Sequence, residues 1–343
     1  MTGAAALQYH PADFTTAGPK PMGRQSAGQG LLRGWVRHAR VDAVHGFGPP
    51  TVGAAFERAV RAEGGAMPVR WAHPLSLGPV AEAGALHLGG PALADAAWPR
   101  RNVGQRAYSV TGVTHTVSSL KAMDGIVGLL SGPVQTWDAL VCTSTSVRAV
   151  VETLLDDEAD YLHARFGAAG PLVRPQLPVI PLGVHVDDFR RDPEVRQALR
   201  AELGVPDAAV LFLMAGRLSF HAKAHPHPMY MALQQAAERT GTRPHLLLAS
   251  WFANEGQERV FRQGAAELCP DVTLNVLDGR KPGVWDRIWS AADAYTLLSD
   301  NIQESFGLAP AEAMAASLPV VGSDWDGLRA TVEPGVAGFV APA

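Results

Sequence analysis

The chain has 343 residues, of which 47% are hydrophobic and 18% charged, so it can build more than one core and is too apolar to be disordered. A formal net charge of −4 supplies no overall drive toward nucleic acid, and no nucleic-acid partner is expected. Only two cysteines occur, Cys142 and Cys269, which excludes a disulfide framework and points to a reducing compartment.

The N-terminus, M-T-G-A-A-A-L-Q-Y-H, lacks the basic segment and apolar core of a secretory signal. No apolar run approaches the ~20 residues needed to span a bilayer. The expectation is a cytoplasmic chain, with peripheral contact at the inner face of a membrane left open.

Residues 4–9 read as a short opening strand. Next comes M-G-R-Q-S-A-G-Q-G over residues 22–30, then Leu31, Leu32, Trp35 and Val36 at helical spacing. That order predicts strand, glycine-bearing loop, helix, and such a loop lets a phosphate approach the backbone. Its spacing differs from G-x-G-x-x-G, so an ordinary small-residue turn is an equal reading.

Short apolar runs at residues 41–44, 68–71, 83–88, 108–113 and 139–142 then alternate with helix-like segments. This pattern predicts an α/β domain with a mostly parallel sheet covered on both faces. Ligands of such sheets sit at the carboxyl ends of the strands, where His45, His73 and His115 are expected. His45 and His73 read as structural; His115, between Gly112 and flanking threonines, suits a tight polar loop lining a cleft. Residues 147–163 read as a helix whose acidic run, Asp156, Asp157, Glu158 and Asp160, is a solvated face. The proline-rich stretch 171–181 marks a domain boundary, giving domains 1–182 and 183–343.

In the second half, residues 192–203 predict a helix and 209–215 a buried strand ending in G-R-L-S-F-H-A-K at 216–223. Arg217 and Lys223 therefore follow a strand's carboxyl end, where a planar fork and a point charge can meet a diphosphate. A pair of idle surface cations is the plainer alternative. His221, His225 and His227 fit no standard zinc spacing, and Pro226 and Pro228 interrupt any helix that would align them, so no metal site is expected. Strands follow at 245–249 and 272–276, with helices at 257–268 and 281–292.

The stretch 299–323, S-D-N-I-Q-E-S-F-G-L-A-P-A-E-A-M-A-A-S-L-P-V-V-G-S, lies between apolar runs at 294–298 and 319–321. It turns through polar residues and starts a helix near Phe306–Leu308, where Pro310 is tolerated in the first turn. Glu304 and Glu312 bracket the helix N-terminus, whose unpaired N–H groups and dipole favour an anion. An anion cradle between two acids that can grip hydroxyls suits a sugar joined to a nucleotide by a diphosphate.

The motifs V-I-P-L-G-V-H-V-D-D-F, G-R-L-S-F-H-A-K, E-S-F-G-L-A-P-A-E-A-M-A and L-P-V-V-G-S-D-W-D-G resemble those of family 4 glycosyltransferases. The resemblance runs over about residues 179–342 and is thinner before them. It implies a GT-B fold, two Rossmann-like domains facing across a cleft. The N-terminal domain would bind the acceptor, and the C-terminal domain, short of the family's final helices, the nucleotide-sugar donor. It implies that Glu312 holds the ribose hydroxyls and Glu304 those of the donor sugar. The N–H groups of Phe306, Gly307 and Leu308 would face the sugar and β-phosphate, and Arg217 and Lys223 would neutralise the diphosphate. His115 would lie beside the donor sugar and Gly23 near the phosphates, with Gly216 and Ser305 completing the donor set.

The reaction so implied is metal-independent transfer with retention of configuration, without a protein nucleophile or cofactor. Its acceptor is a glycan, lipid or small molecule. Base contacts are expected around residues 277–281. Ser317 stands where the family ends its helix with glycine, which predicts strain there. Three rivals remain: a metal-dependent transferase using Asp324 and Asp326, a glycosidase using Glu304 and Glu312 as paired acids, and an inactive nucleotide-sugar-binding protein.

Overall fold

The computed structural model describes residues 4–16, 23–167 and 170–342. Contacts divide the chain into two compact units, Met1–Leu182 and Gly183–Ala343.

The first unit runs β1 (Ala6–Gln8), α1 (Gly23–His38), β2 (Val44–Phe47), α2 (Gly53–Ala62), β3 (Val69–Ala72), α3 (Gly78–Ala83), β4 (Ala85–Leu88), α4 (Leu93–Arg100), β5 (Ser109–Val113), α5 (Leu120–Ser131), β6 (Ala139–Val141) and α6 (Thr145–Phe166). The second runs α7 (Pro193–Glu202), β7 (Leu211–Ala215), α8 (His227–Thr240), β8 (His245–Ser250), α9 (Glu255–Leu268), β9 (Thr273–Asp278), α10 (Val284–Ala291), β10 (Ala294–Leu297), α11 (Leu308–Ala315), β11 (Val320–Ser323), α12 (Leu328–Thr331) and β12 (Gly338–Ala341).

Each unit holds a six-stranded sheet, ordered β3-β2-β1-β4-β5-β6 in the first and β12-β11-β10-β7-β8-β9 in the second. The named strand pairs in both sheets are parallel. Counted from its own first strand, each sheet has the order 3-2-1-4-5-6, the doubly wound Rossmann arrangement. The parallel α/β architecture expected from the alternating pattern, and the two Rossmann-like units implied by the family resemblance, are the ones observed. Strand order reverses between β1 and β4 in one unit and between β7 and β10 in the other, and the crevice at such a point is where ligands of these sheets bind.

Strands covered on both faces read as near-continuous apolar runs. In β8 all six residues are buried, and Leu246, Leu247 and Leu248 join one core with Leu211, Leu213 and Tyr295. The segment 171–182 is extended and bridges back to β6, pairing Ala139 with Gln176 and Cys142 with Val179. It is therefore packed against the first unit's edge strand.

Two expectations fail in the first unit. Residues 23–30 form the first two turns of α1, not a loop, while Met22 lies outside the described residues. Gly28 is there for packing: a Cβ on it would stand 2.2 Å from the carbonyl oxygen of Asp13. His45 falls inside β2 and is buried, because the strand starts at Val44, three residues later than its sequence pattern suggested. His73 forms the turn after β3, its Nδ1 accepting from the N–H of Leu75.

Ser317 does take the left-handed conformation, with φ +57°. Its N–H bonds to Met314 O and that of Leu318 to Ala313 O, both at 2.9 Å, which closes α11 as a Schellman turn. The closure is made without the glycine that usually relieves it, at a cost of about 1 kcal/mol.

Candidate functional site

In the second unit, the loop after β7 and the segment after β10 meet at the strand-order reversal. The β7 loop begins at Gly216, with φ +126°, and carries Arg217 and Lys223. The β10 segment carries Glu304, Ser305, Phe306 and Gly307, all buried, and leads into α11, capped by Gly307 at φ +92°. Lys223 Nζ donates to Glu304 Oε2 at 2.6 Å, which ties the two loops together. The side chain of Lys223 passes over Gly216, whose added Cβ would meet Lys223 Cε at 3.1 Å.

The site's electrostatics follow from burial. Arg217 is half-buried, and desolvation pushes its guanidinium below its ordinary value against the opposing charge of Glu304. Its Nη2 donates to Ala222 O at 3.4 Å, which holds the guanidinium only weakly. Glu312, 8% exposed, is pushed up to about 7 by burial, with Lys223 partly offsetting the shift. Glu304 and Glu312 both raise the fully buried Tyr295 phenol after burial itself. Tyr295 Oη donates to Ala215 O at 3.0 Å and so pins the end of β7.

The N–H groups of Phe306, Gly307 and Leu308 make no backbone hydrogen bond among the described residues. Together with the α11 dipole they leave donors at the mouth of a crevice that also holds Arg217 and Lys223. The sequence-predicted residues Gly216, Arg217, Lys223, Glu304, Ser305, Phe306, Gly307, Leu308 and Glu312 thus share one carboxyl-end crevice.

A clamp that spacing did not reveal holds this segment from behind. Gly327 follows β11 and donates its N–H to Glu304 O at 3.1 Å. A Cβ on Gly327 would lie 2.5 Å from Ser305 O and Phe306 N, so only glycine admits this approach. The adjoining Asp326 takes φ +41°, and burial followed by the Glu304 charge pushes its carboxyl up to about 6. Asp324 pairs with Arg329 at 2.9 Å, and the same guanidinium partly offsets the rise at Asp326. Among the described residues, no group of three or more His, Cys, Asp or Glu side chains is disposed to hold a metal. His225 and His227 do come together, ring centroids 4.2 Å apart, as part of an aromatic cluster with Phe220. The 277–281 turn closes β9 at the same end of the sheet, with Arg280 locked onto Asp278 at 2.7 Å.

The first unit gathers Gly23 and His115 around its own reversal. Gly23 begins α1, and the charges of neighbouring Arg24 and of Asp13 both bear on His115. Burial, then His87 and Arg24, push His115 down to about 4, so its imidazole is neutral at pH 7. His87 was missed because A-L-H-L reads as core strand. It sits on β4, faces Thr111 Oγ1 at 3.0 Å, and is itself lowered to about 4 by burial.

The raised Glu312 carboxyl carries a pH prediction. Its folded value lies above the ordinary one of 4.5, so the native state keeps its proton while the unfolded chain loses it. Between pH ~4.5 and ~7 the group therefore loses stability as pH rises, with the full cost above pH ~7. Glu312→Gln should match the wild-type melting temperature near pH 5 and exceed it at pH 8. Equal melting curves at both pH values would show that no such linkage exists.

Residues 195–343 match the family described as glycosyl transferases group 1. A D-inositol 3-phosphate glycosyltransferase from Saccharomonospora viridis is 36% identical over 200 residues, which is 57% of this chain and 44% of that relative. The chain thus spans less than half the length of that relative. Among solved structures, HepE of Anabaena in complex with UDP superposes with a TM-score of 0.60 at 17% identity, covering 99% of this chain and 85% of the other. A glycosyltransferase from Rickettsia africae gives 0.65 at 14%, covering 100% and 85%. At these identities the structural likeness is one of fold.

Proposed function

We propose, from the match of residues 195–343 to the group 1 glycosyl transferases and the GT-B-like fold of the chain, that this protein transfers a sugar from a nucleoside-diphosphate sugar to a hydroxylated acceptor. The observation that carries the reading is the convergence of Arg217, Lys223, the free N–H groups at 306–308 and two buried acids on the β7–β10 crevice. Unit 183–343 would hold the donor and unit 1–182 the acceptor.

In this mechanism the bond from the anomeric carbon to the phosphate oxygen breaks, and its electron pair leaves with the diphosphate. Arg217, Lys223 and the α11 N-terminus stabilise that charge, the largest electrostatic demand of the step. The acceptor oxygen bonds to the same face of the carbon, and its proton passes to the departing phosphate oxygen. Configuration is retained, and no protein nucleophile or metal ion is required. Glu304 and Glu312 orient donor-sugar and ribose hydroxyls. His115, neutral, accepts or donates a hydrogen bond beside the sugar. The family resemblance would assign Gly23 to the phosphates. The clamp of Gly327 on Ser305 and Phe306 keeps the donor segment in place.

UDP is the first nucleotide to test, because HepE was crystallised with it, and D-inositol 3-phosphate the first acceptor, because the relatives carry that name. A ligand that binds only the native state raises its melting temperature by mass action. UDP, GDP or ADP, free or as the sugar conjugate, should raise the melting temperature. No shift with any of the three overturns the reading. Binding without transfer to any acceptor would identify a binding-only protein, and activity abolished by a chelator would favour a metal-dependent transferase.

A further inference from the structure

The position of Lys223 is set by side chains from β10 and β11 that do not reach the crevice themselves. Ser299, fully buried just past β10, donates its hydroxyl to Lys223 O at 2.7 Å. Ser323, the last residue of β11, donates in turn to Ser299 O. Two residues on, Asn301 Nδ2 donates to His221 O, which holds the same loop a second time. The loop 219–223 is thereby fastened to the segment after β10 by two hydrogen bonds, and a third braces that segment against the end of β11. The Lys223 side chain is then confined between Gly216 beneath it and Glu304 at its tip.

We propose that Ser299 and Asn301 are positioning residues that hold the Lys223 ammonium where a diphosphate must be met, an inference that rests on the nucleotide-sugar reading of the crevice. A lysine is a point charge on a flexible stem, and its effect on an anion falls if the backbone beneath it can drift. Among the described residues the carbonyls of His221 and Lys223 accept no other hydrogen bond, so losing either donor releases that part of the loop. On this proposal neither residue touches the anion. Both act through Lys223.

Calorimetric titration of the full chain with UDP, GDP and ADP tests this. Ser299→Ala and Asn301→Ala should each weaken the nucleotide that the wild type binds by roughly five- to tenfold, the size of one lost hydrogen bond. In a Lys223→Gln background the same substitutions should change affinity less than about twofold, because effects exerted through one side chain are not additive. Asn301 lies at the surface, so its variant decides the matter if Ser299→Ala fails to fold. Unchanged affinity in the folded variants, or an undiminished loss in the Lys223→Gln background, overturns the positioning role alone. A wild type that binds none of the three nucleotides overturns the crevice reading and this inference with it.

Discussion

Arg217→Ala should lose about 10- to 100-fold in affinity for a nucleoside diphosphate while the melting temperature of the ligand-free protein stays within about 2 °C of wild type, as expected for losing a charge-assisted hydrogen bond that the empty protein does not make. The structural basis is the loneliness of this cation. Its hydrogen bond to Ala222 O is 3.4 Å long, and burial already disfavours its charge. An arginine that is half-buried without a carboxylate at contact distance is destabilising unless an anion arrives. Lys223→Ala makes the contrast. It removes the partner of Glu304, which is only 6% exposed, and leaves a buried carboxylate alone. That variant should lose stability as well as affinity, by about 3 kcal/mol, since breaking a buried pair costs more than the pair contributes. Glu304→Gln added to Lys223→Ala should restore most of the stability and none of the affinity. Paired melting and titration data on the three variants check this. If Arg217→Ala kept full affinity, the guanidinium would have no part in holding the diphosphate.

The donor half of this site was legible because its chemistry is contiguous. Arg217 and Lys223 follow one apolar run, Glu304 and Glu312 follow another, and parallel strands of 4 to 6 residues announce themselves as such runs. What escaped the sequence needed tertiary contact. The glycines of residues 23–30 look like loop punctuation, yet Gly28 serves a helix pressed on the Asp13 carbonyl. His87 is hidden by its apolar neighbours in β4, and only the pairing of β4 with β5 shows that it meets Thr111. Asp326 reads with Asp324 as a candidate metal motif, and Gly327 only closes the motif L-P-V-V-G-S-D-W-D-G. Their close approach to Ser305 arises from the return of the chain after β11, which no local spacing encodes.

Asp138 and Asp293 escaped for the same reason, and each sits just before a strand of its own sheet, β6 and β10. Asp138 accepts from the N–H of Val110 in β5, which neighbours β6, at 2.7 Å, and Asp293 from that of Leu211 in β7, which neighbours β10, at 2.8 Å. Each is gripped by arginine from a helix, Arg100 in one unit, Arg196 and Arg200 in the other. Burial alone would raise the Asp293 carboxyl, but the Leu211 N–H and the two guanidiniums outweigh it and hold it below the ordinary value. These clamps lie at the amino ends of the strands, opposite the crevice, so they set the sheets without touching the chemistry.

Asp138→Asn should therefore destabilise the first unit by about 3–5 kcal/mol and leave nucleotide affinity of the folded protein unchanged. Arg100 and Asp138 are both 0% exposed and form a two-pronged pair, 2.6 Å between Nη1 and Oδ1 and 2.8 Å between Nη2 and Oδ2. The guanidinium also donates to Tyr108 O at 3.0 Å and Pro133 O at 3.1 Å, and Asp138 accepts from Gln135 N–H at 2.8 Å. Asparagine keeps the shape but presents an amide where an acceptor is needed, and it leaves the Arg100 charge uncompensated in a dry site. In a unit of this size each kcal/mol moves the melting temperature by about 2–4 °C, so a fall of roughly 6–20 °C is expected. Arg100→Met combined with Asp138→Asn should recover part of that loss, because the stranded charge is gone and only the strand N–H contacts remain impaired. A fall of less than about 2 °C in Asp138→Asn would mean that water reaches the pair and screens it. Nucleotide affinity that fell in step with stability would mean instead that this end of the sheet bears on the crevice.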